Sequence, residues 1–192
     1  MKLNKLTWVA FGLLLLSSSL YRVWDARPLG FIPLFSMAIF SGMVIRNRYA
    51  AFLVPLVSLF ASDLLYEVLY RSNLTEIRGF YQGQVINYLL IVGTTGIGML
   101  VRRINVLTVT AASLGAPTLY FLISNLLYWT GGGTDIRTQL PLSRGMDGLL
   151  QSYNQALPFY QGAVLGTLFF STLFFGVYYL LNRPAAAAHR TA

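Results

Sequence analysis

Two carboxylates, Asp63 and Glu67, stand four residues apart in the apolar run Leu59-Phe60-Ala61-Ser62-Asp63-Leu64-Leu65-Tyr66-Glu67. On a helix this spacing puts them on one face, together with Tyr66 and Tyr70. They are the only acid/base pair available for proton transfer, and two carboxylates alone do not define a reaction. Without a matching basic cluster they favour a cationic, amine-bearing or hydroxyl-rich ligand. An ionised carboxylate away from a helix end costs several kcal/mol in lipid unless paired or solvated. Asp63 has no base at i±3 or i±4, so its partner must come from another segment, with Arg22, Arg27 and Arg78 as candidates. Glu67 has Arg71 in the favourable i,i+4 order.

Further polar side chains gather near the ends of other apolar runs. Gln84, Asn87 and Tyr88 share a face; Ser124, Asn125, Tyr128 and Trp129 close one run; Tyr153, Asn154, Gln155, Tyr160 and Gln161 bracket Pro158. The expected ligand-binding set is Asp63 as principal anchor, with Tyr66, Glu67, Gln84, Asn87, Asn125, Trp129, Tyr153, Asn154 and Tyr160. Plainer roles compete with this one. Tyr128 and Trp129 suit an interfacial belt, and Asn87 and Asn125 suit interhelical hydrogen bonds.

Much chemistry is excluded. Cysteine is absent, and the single histidine, His189, is expected to be a solvated tail residue. Zinc, haem and thiolate chemistry therefore lack ligands. No Gly-x-x-x-x-Gly-Lys-Ser/Thr, His-Glu-x-x-His or Gly-x-Ser-x-Gly sequence occurs. We expect no catalytic residue, no metal and no cofactor.

The elements that hold these residues are membrane helices. Of 192 residues, 56% are hydrophobic and 10% charged, against about 25% charged in a soluble domain. Six apolar runs are each long enough to cross about 30 Å of hydrocarbon: Leu6–Val23, Leu29–Ile45, Tyr49–Leu69, Val85–Val101, Val106–Trp129 and Phe159–Leu181. The fold expected is all-α, a single six-helix transmembrane domain over 1–182 followed by a disordered tail, 183–192. Lys2, Lys5 and the run to Ser17-Ser18-Ser19 resemble a signal peptide, but no clear Ala-x-Ala site follows, and a retained helix is expected. Asp147 is placed to cap a short surface helix, Gly148–Ala156, ahead of Pro158. Pro33, Pro55 and Pro117 should bend or interrupt their helices, and Gly93, Gly96, Gly98, Gly162 and Gly166 should allow close packing.

The formal charge of +8 is spread between the apolar runs and so indicates lipid contact and topology instead of nucleic acid. The tight, unneutralised loops Arg46-Asn47-Arg48 and Arg102-Arg103 put both termini in the cytoplasm. Asp63 and its polar companions then fall at the opposite, extracytoplasmic level. The inner halves of the runs are almost wholly apolar, which predicts a single recess open to the outside and not a channel.

Several ordered motifs carry a resemblance over about Arg27 to Tyr178. They are Pro28-Leu29-Gly30-Phe31-Ile32-Pro33, Ala38-Ile39-Phe40-Ser41-Gly42, Ser62-Asp63-Leu64, Phe121-x-x-x-Ser124-Asn125-x-x-x-Trp129, Tyr153-x-x-Ala156-x-Pro158-Phe159 and Leu173-Phe174-Phe175-Gly176. In these the chain resembles a bacterial integral-membrane family of unknown function. That family is in turn similar to the substrate-binding S components of energy-coupling factor (ECF) vitamin transporters. The resemblance implies a protein of the bacterial inner membrane that binds a vitamin or cofactor precursor from outside. It would work with a separate transmembrane scaffold and ATPases. Where many S components carry Ala-x-x-x-Ala on the first span, this chain has Ala10 and Leu14. The rival readings are a structural or assembly subunit and a membrane enzyme using Asp63 and Glu67.

Overall fold

A computed structural model describes residues 12, 16, 18–101 and 103–182. The expected start of the first helix at Leu6, the Ala10/Leu14 positions, His189 and the tail 183–192 lie outside the described residues. Residues 18–23 are helical (α1). They are followed by α2 Leu34–Val44, α3 Arg48–Arg71, α4 Gln84–Leu100, α5 Val106–Thr130 and α6 Met146–Leu181. The fold is all-α. α3, α5 and α6 are long and apolar enough to cross a membrane, while α2 and α4 are shorter apolar helices of 11 and 17 residues.

The exposure pattern of α3 shows what solvent it was built for. Leu53, Val57, Phe60, Leu64 and Val68 follow one another at helical spacing and are all exposed. The opposite face buries Ala51, Ser58, Leu59, Ser62, Asp63 and Tyr66. In water this is upside down, since branched aliphatic and aromatic residues belong inside and carboxylates outside. In lipid it is the stable arrangement, because apolar side chains cost nothing on the rim and polar ones must face protein. The chain is a membrane protein.

At the centre lies α2, which packs against α3, α4, α5 and α6. Eight consecutive residues, Leu34 through Ser41, are buried, as expected of a helix apolar on all sides. Apolar residues of α2 seed two clusters. Met37, Ile39 and Phe40 meet Ala112, Ala116, Phe174 and Phe175, while Leu34, Phe35 and Ala38 meet Leu59 and Ile91. Neutral polar contacts tie the bundle between them. Ser36 Oγ donates to Thr167 O at 2.9 Å, and Ser113 Oγ to Ser171 Oγ at 2.9 Å. Each is the kind of interhelical bond worth about 0.6–2 kcal/mol in a membrane.

The second expected span, Leu29–Ile45, shrinks to α2 because Pro28–Pro33 is not helical. Gly30 takes φ +72°, and Pro33 is the N-cap. This strip lies across α6. A Cβ on Gly162 would stand 1.7 Å from Leu29 O, and one on Gly30 2.0 Å from Phe159 O. Gly42 and Gly98 make the second close crossing, between α2 and α4. Gly93 and Gly96, by contrast, face open space, so the expectation of close packing fails for them.

The prolines bear on a further expectation, since the interruption it allowed for is found at neither Pro55 nor Pro117. Pro55, Pro117 and Pro158 all lie inside continuous helices. The separate surface helix Gly148–Ala156 does not exist, because α6 continues for 36 residues past Pro158 with Gly145, not Asp147, at its N-cap. Bonds on both sides of Pro158 fasten α6 to α5. Ser152 Oγ donates to Asn125 O at 3.0 Å, Tyr153 to Leu122 O at 2.9 Å, and the Tyr160 and Thr118 hydroxyls meet at 2.9 Å. The tight turns before α3 and α5 are capped by their asparagines. Asn47 accepts from Ala50 N, and Asn105 forms a reciprocal capping box with Thr108.

Candidate functional site

Asp63 sits on the buried face of α3 and is 1% exposed. Arg22, at the end of α1, donates from Nη1 to Asp63 Oδ1 at 2.5 Å and to Ser62 Oγ at 2.5 Å. From the first turns of α4, Gln84 Nε2 and the Tyr88 hydroxyl each donate to Oδ2 at 2.7 Å. Three donors from two segments, α1 and α4, therefore satisfy one carboxylate, and its charge is cancelled by a guanidinium at contact distance. Around them, Tyr66 donates to Arg22 O at 2.7 Å, and its ring lies 5.6 Å below the Arg22 guanidinium. Arg27 donates to the same carbonyl at 2.8 Å and to the Tyr66 hydroxyl at 3.3 Å. No buried side-chain nitrogen or oxygen among the described residues lacks a partner.

Local sequence explains how this cluster is closed. The α3–α4 loop must lie flat on α3, and Gly79 allows it, since a Cβ there would stand 1.9 Å from Asp63 O. Phe80 meets Phe60 at 6.3 Å between ring centroids. Gly83, at φ +89°, then turns the chain into α4 so that Gln84 reaches back to Asp63.

Beside the cluster is a cavity of about 350 Å³, lined by Arg22, Arg27, Asp63, Tyr66, Ile77, Arg78 and Tyr81. It holds about a dozen waters' worth of liquid at ~30 Å³ each. A larger depression of about 680 Å³ lies at the turn after α3. Its lining is one stretch of chain between Tyr70 and Glu76, whereas the Asp63 cavity draws on three segments, which is the mark of a built site.

The ten residues expected in one recess separate into groups. Asp63 and Tyr66 line the cavity, and Gln84 joins them through its bond to Asp63. Asn87 stands one bond away, accepting from Tyr120 at 2.5 Å and donating to Tyr81 at 3.0 Å. Glu67 instead turns to Arg71, 2.8 Å away on its own helix. Asn125, Trp129, Tyr153 and Tyr160 lie along α5 and α6. The Asn125 amide donates to Phe121 O in its own helix, Trp129 Nε1 donates to Ser143 O, and Tyr160 stacks on Phe121 at 4.6 Å. Asn154, on the same stretch of α6, is exposed. The expectation of a single recess is thus corrected to two polar regions. Helical periodicity fixes faces, but it does not say that α5 packs on α6 and α4 and not on α3.

Sequence reasoning named Arg22 as one of three partners for Asp63 but did not place it in the site. Its signal was the absence of any nearer base. Tyr88 was on the expected face, and Tyr81, Ile77 and Arg78 fell in a loop with no periodic signal. The ion pairs named as candidates for both carboxylates are present among the described residues, Arg22–Asp63 and Arg71–Glu67, and with three arginines at the cavity the ground for expecting a cationic ligand, the lack of a matching basic cluster, is removed. Among the described residues no three His, Cys, Asp or Glu side chains converge, so none is assigned to a metal.

No curated protein and no solved structure matches the chain. A family model does, over residues 1–189. By that match across nearly its whole length, the chain belongs to the Family of unknown function (DUF6580).

Proposed function

We propose that this protein binds a small molecule, of the vitamin or cofactor-precursor class, in the cavity beside Asp63. It acts as an S-component-like uptake protein of the bacterial inner membrane. In this reading six helices cross the bilayer, both termini are cytoplasmic, and the cavity opens to the extracytoplasmic side. A separate transmembrane scaffold with ATPases would drive release. Arg46, Arg48 and Arg103 at the other ends of α3 and α4 support that orientation. The observation that carries the proposal is the coincidence of a cavity of about 350 Å³ with the buried charged cluster. The volume falls in the ~300–1,000 Å³ range of small-molecule sites. Asp63 and Arg22 stand in the wall, Gln84 and Tyr88 hold Asp63 from behind it, and Asn87 orients Tyr81.

The test is mass spectrometry of small molecules retained by the full chain purified in mild detergent. Ile77 lines the cavity, is 51% exposed, and has an apolar side chain that takes part in no hydrogen bond. Ile77→Trp should fill the space and reduce the retained molecule at least tenfold with an unchanged melting profile. A wild-type protein that retains nothing beyond an empty-vector control overturns the proposal. One observation favours a structural or assembly role instead: Asp63 already has three donors, as an internal packing network requires. An enzyme using Asp63 with Glu67 has less support, because the two carboxylates are engaged by different arginines.

A further inference from the structure

Resting on the binding reading above, we propose that the ligand is an anion, bearing a carboxylate or phosphate recognised by Arg27, Arg78 and the Tyr81 hydroxyl. The cavity wall carries three guanidinium groups and one carboxylate, a formal surplus of two positive charges. Asp63 is neutralised by Arg22 at 2.5 Å, so the surplus resides on Arg27 and Arg78. Among the described residues neither makes an ion pair. Arg27 is held by neutral acceptors, Arg22 O and Tyr66. Arg78 donates to the Tyr70 hydroxyl at 3.2 Å, with its guanidinium 5.2 Å over that ring. Both guanidiniums are thus positioned without being neutralised. Each has five N–H donors, and the planar fork matches a carboxylate or phosphate edge.

The direction of a hydrogen-bond relay agrees. Tyr120 donates to Asn87 Oδ1, which leaves the Asn87 amide nitrogen to donate to the Tyr81 oxygen. The Tyr81 proton then remains for a further acceptor at the cavity wall. Cationic ligands meet the opposite field, since the one carboxylate present is already engaged by Arg22, Gln84 and Tyr88.

Two sources carry this chemistry: a free small-molecule anion and the headgroup of an anionic lipid. The experiment uses the full chain in phosphatidylcholine nanodiscs, with retained molecules identified by mass spectrometry in wild type, R78Q, R27Q/R78Q and R27K/R78K. Arg78 is exposed and its polar contacts among the described residues are to Tyr70, so R78Q keeps the test alive if the double variant misfolds. We expect a retained carboxylate or phosphate, lowered at least tenfold in R27Q/R78Q, lowered severalfold in R78Q and partly restored in R27K/R78K. Retained phosphatidylglycerol that is lost on exchange into pure phosphatidylcholine supports the anion and assigns it to a headgroup, which removes the uptake reading. A neutral or cationic molecule, or retention that both glutamine variants leave unchanged, overturns the anion while binding stands. Nothing retained, with no melting shift on adding sodium phosphate at constant ionic strength, removes both.

Discussion

The polar groups around Asp63 and those along α5 and α6 look alike in the sequence, yet they are built differently. Around Asp63 the contacts are charged, join α1, α3 and α4, and border a cavity. Between α5 and α6 they are neutral: Tyr153 on Leu122 O and Ser152 on Asn125 O run to backbone carbonyls, and Ser113 with Ser171 and Thr118 with Tyr160 pair hydroxyls. The second region also folds the long 131–145 loop onto the helix ends, through Trp129 on Ser143 O and Gln151 on Asp135. A neutral bond to a carbonyl costs little to bury and fastens two helices. A buried ion pair repays its desolvation poorly as an adhesive, so its presence calls for a reason beyond cohesion.

The sharpest way to break this contrast is to unpair the charges. Arg22→Met should destabilise the protein by about 3–5 kcal/mol, the cost of stranding a buried carboxylate. The double variant Arg22→Met/Asp63→Leu should recover at least half of that loss in denaturant titrations in micelles. A double variant as unstable as both singles combined would show that the pair is not one energetic unit. Next in size is Gly79→Ala, expected to cost about 1–3 kcal/mol by forcing the loop off α3 and to weaken retention at the cavity. Gly93→Ala, facing open space on α4, should be neutral or gain up to about 1 kcal/mol. Equal melting shifts for the two would count against the loop's role in closing the site. Smallest is Tyr153→Phe, which should lose about 0.5–1.5 kcal/mol for one hydrogen bond and leave retention unchanged. A drop in retention there would rejoin the two regions into one site.

How much of this was legible depended on whether the information was local. The isolation of Asp63 from any base on its own helix required a partner from elsewhere, and Arg22 was among the three possible. Capping asparagines at 47 and 105 sat where the basic loops predicted turns. Hydropathy misjudged both ends of the proline problem. Leu29, Phe31 and Ile32 are apolar enough to extend a span, but Pro28, Gly30 and Pro33 hold that backbone out of the helix. Pro158 reads as a start, yet lies within α6 because tertiary bonds on either side override its local preference. Which helix neighbours which is a long-range fact. No periodicity encodes it, and that is why one expected recess became two regions.

The strip Pro28–Pro33 has a consequence for how the chain is made. Its peptide groups have left the helix, and its backbone lies directly on Phe159 and Gly162 of α6. Hydrocarbon offers no substitute for a protein seat at such a place. During synthesis α2 emerges long before α6, so this stretch must wait in a provisional environment until the last helix is inserted. The contacts of this strip are therefore completed only when α6 has been made, and a chain cut before α6 would leave the strip without its seat.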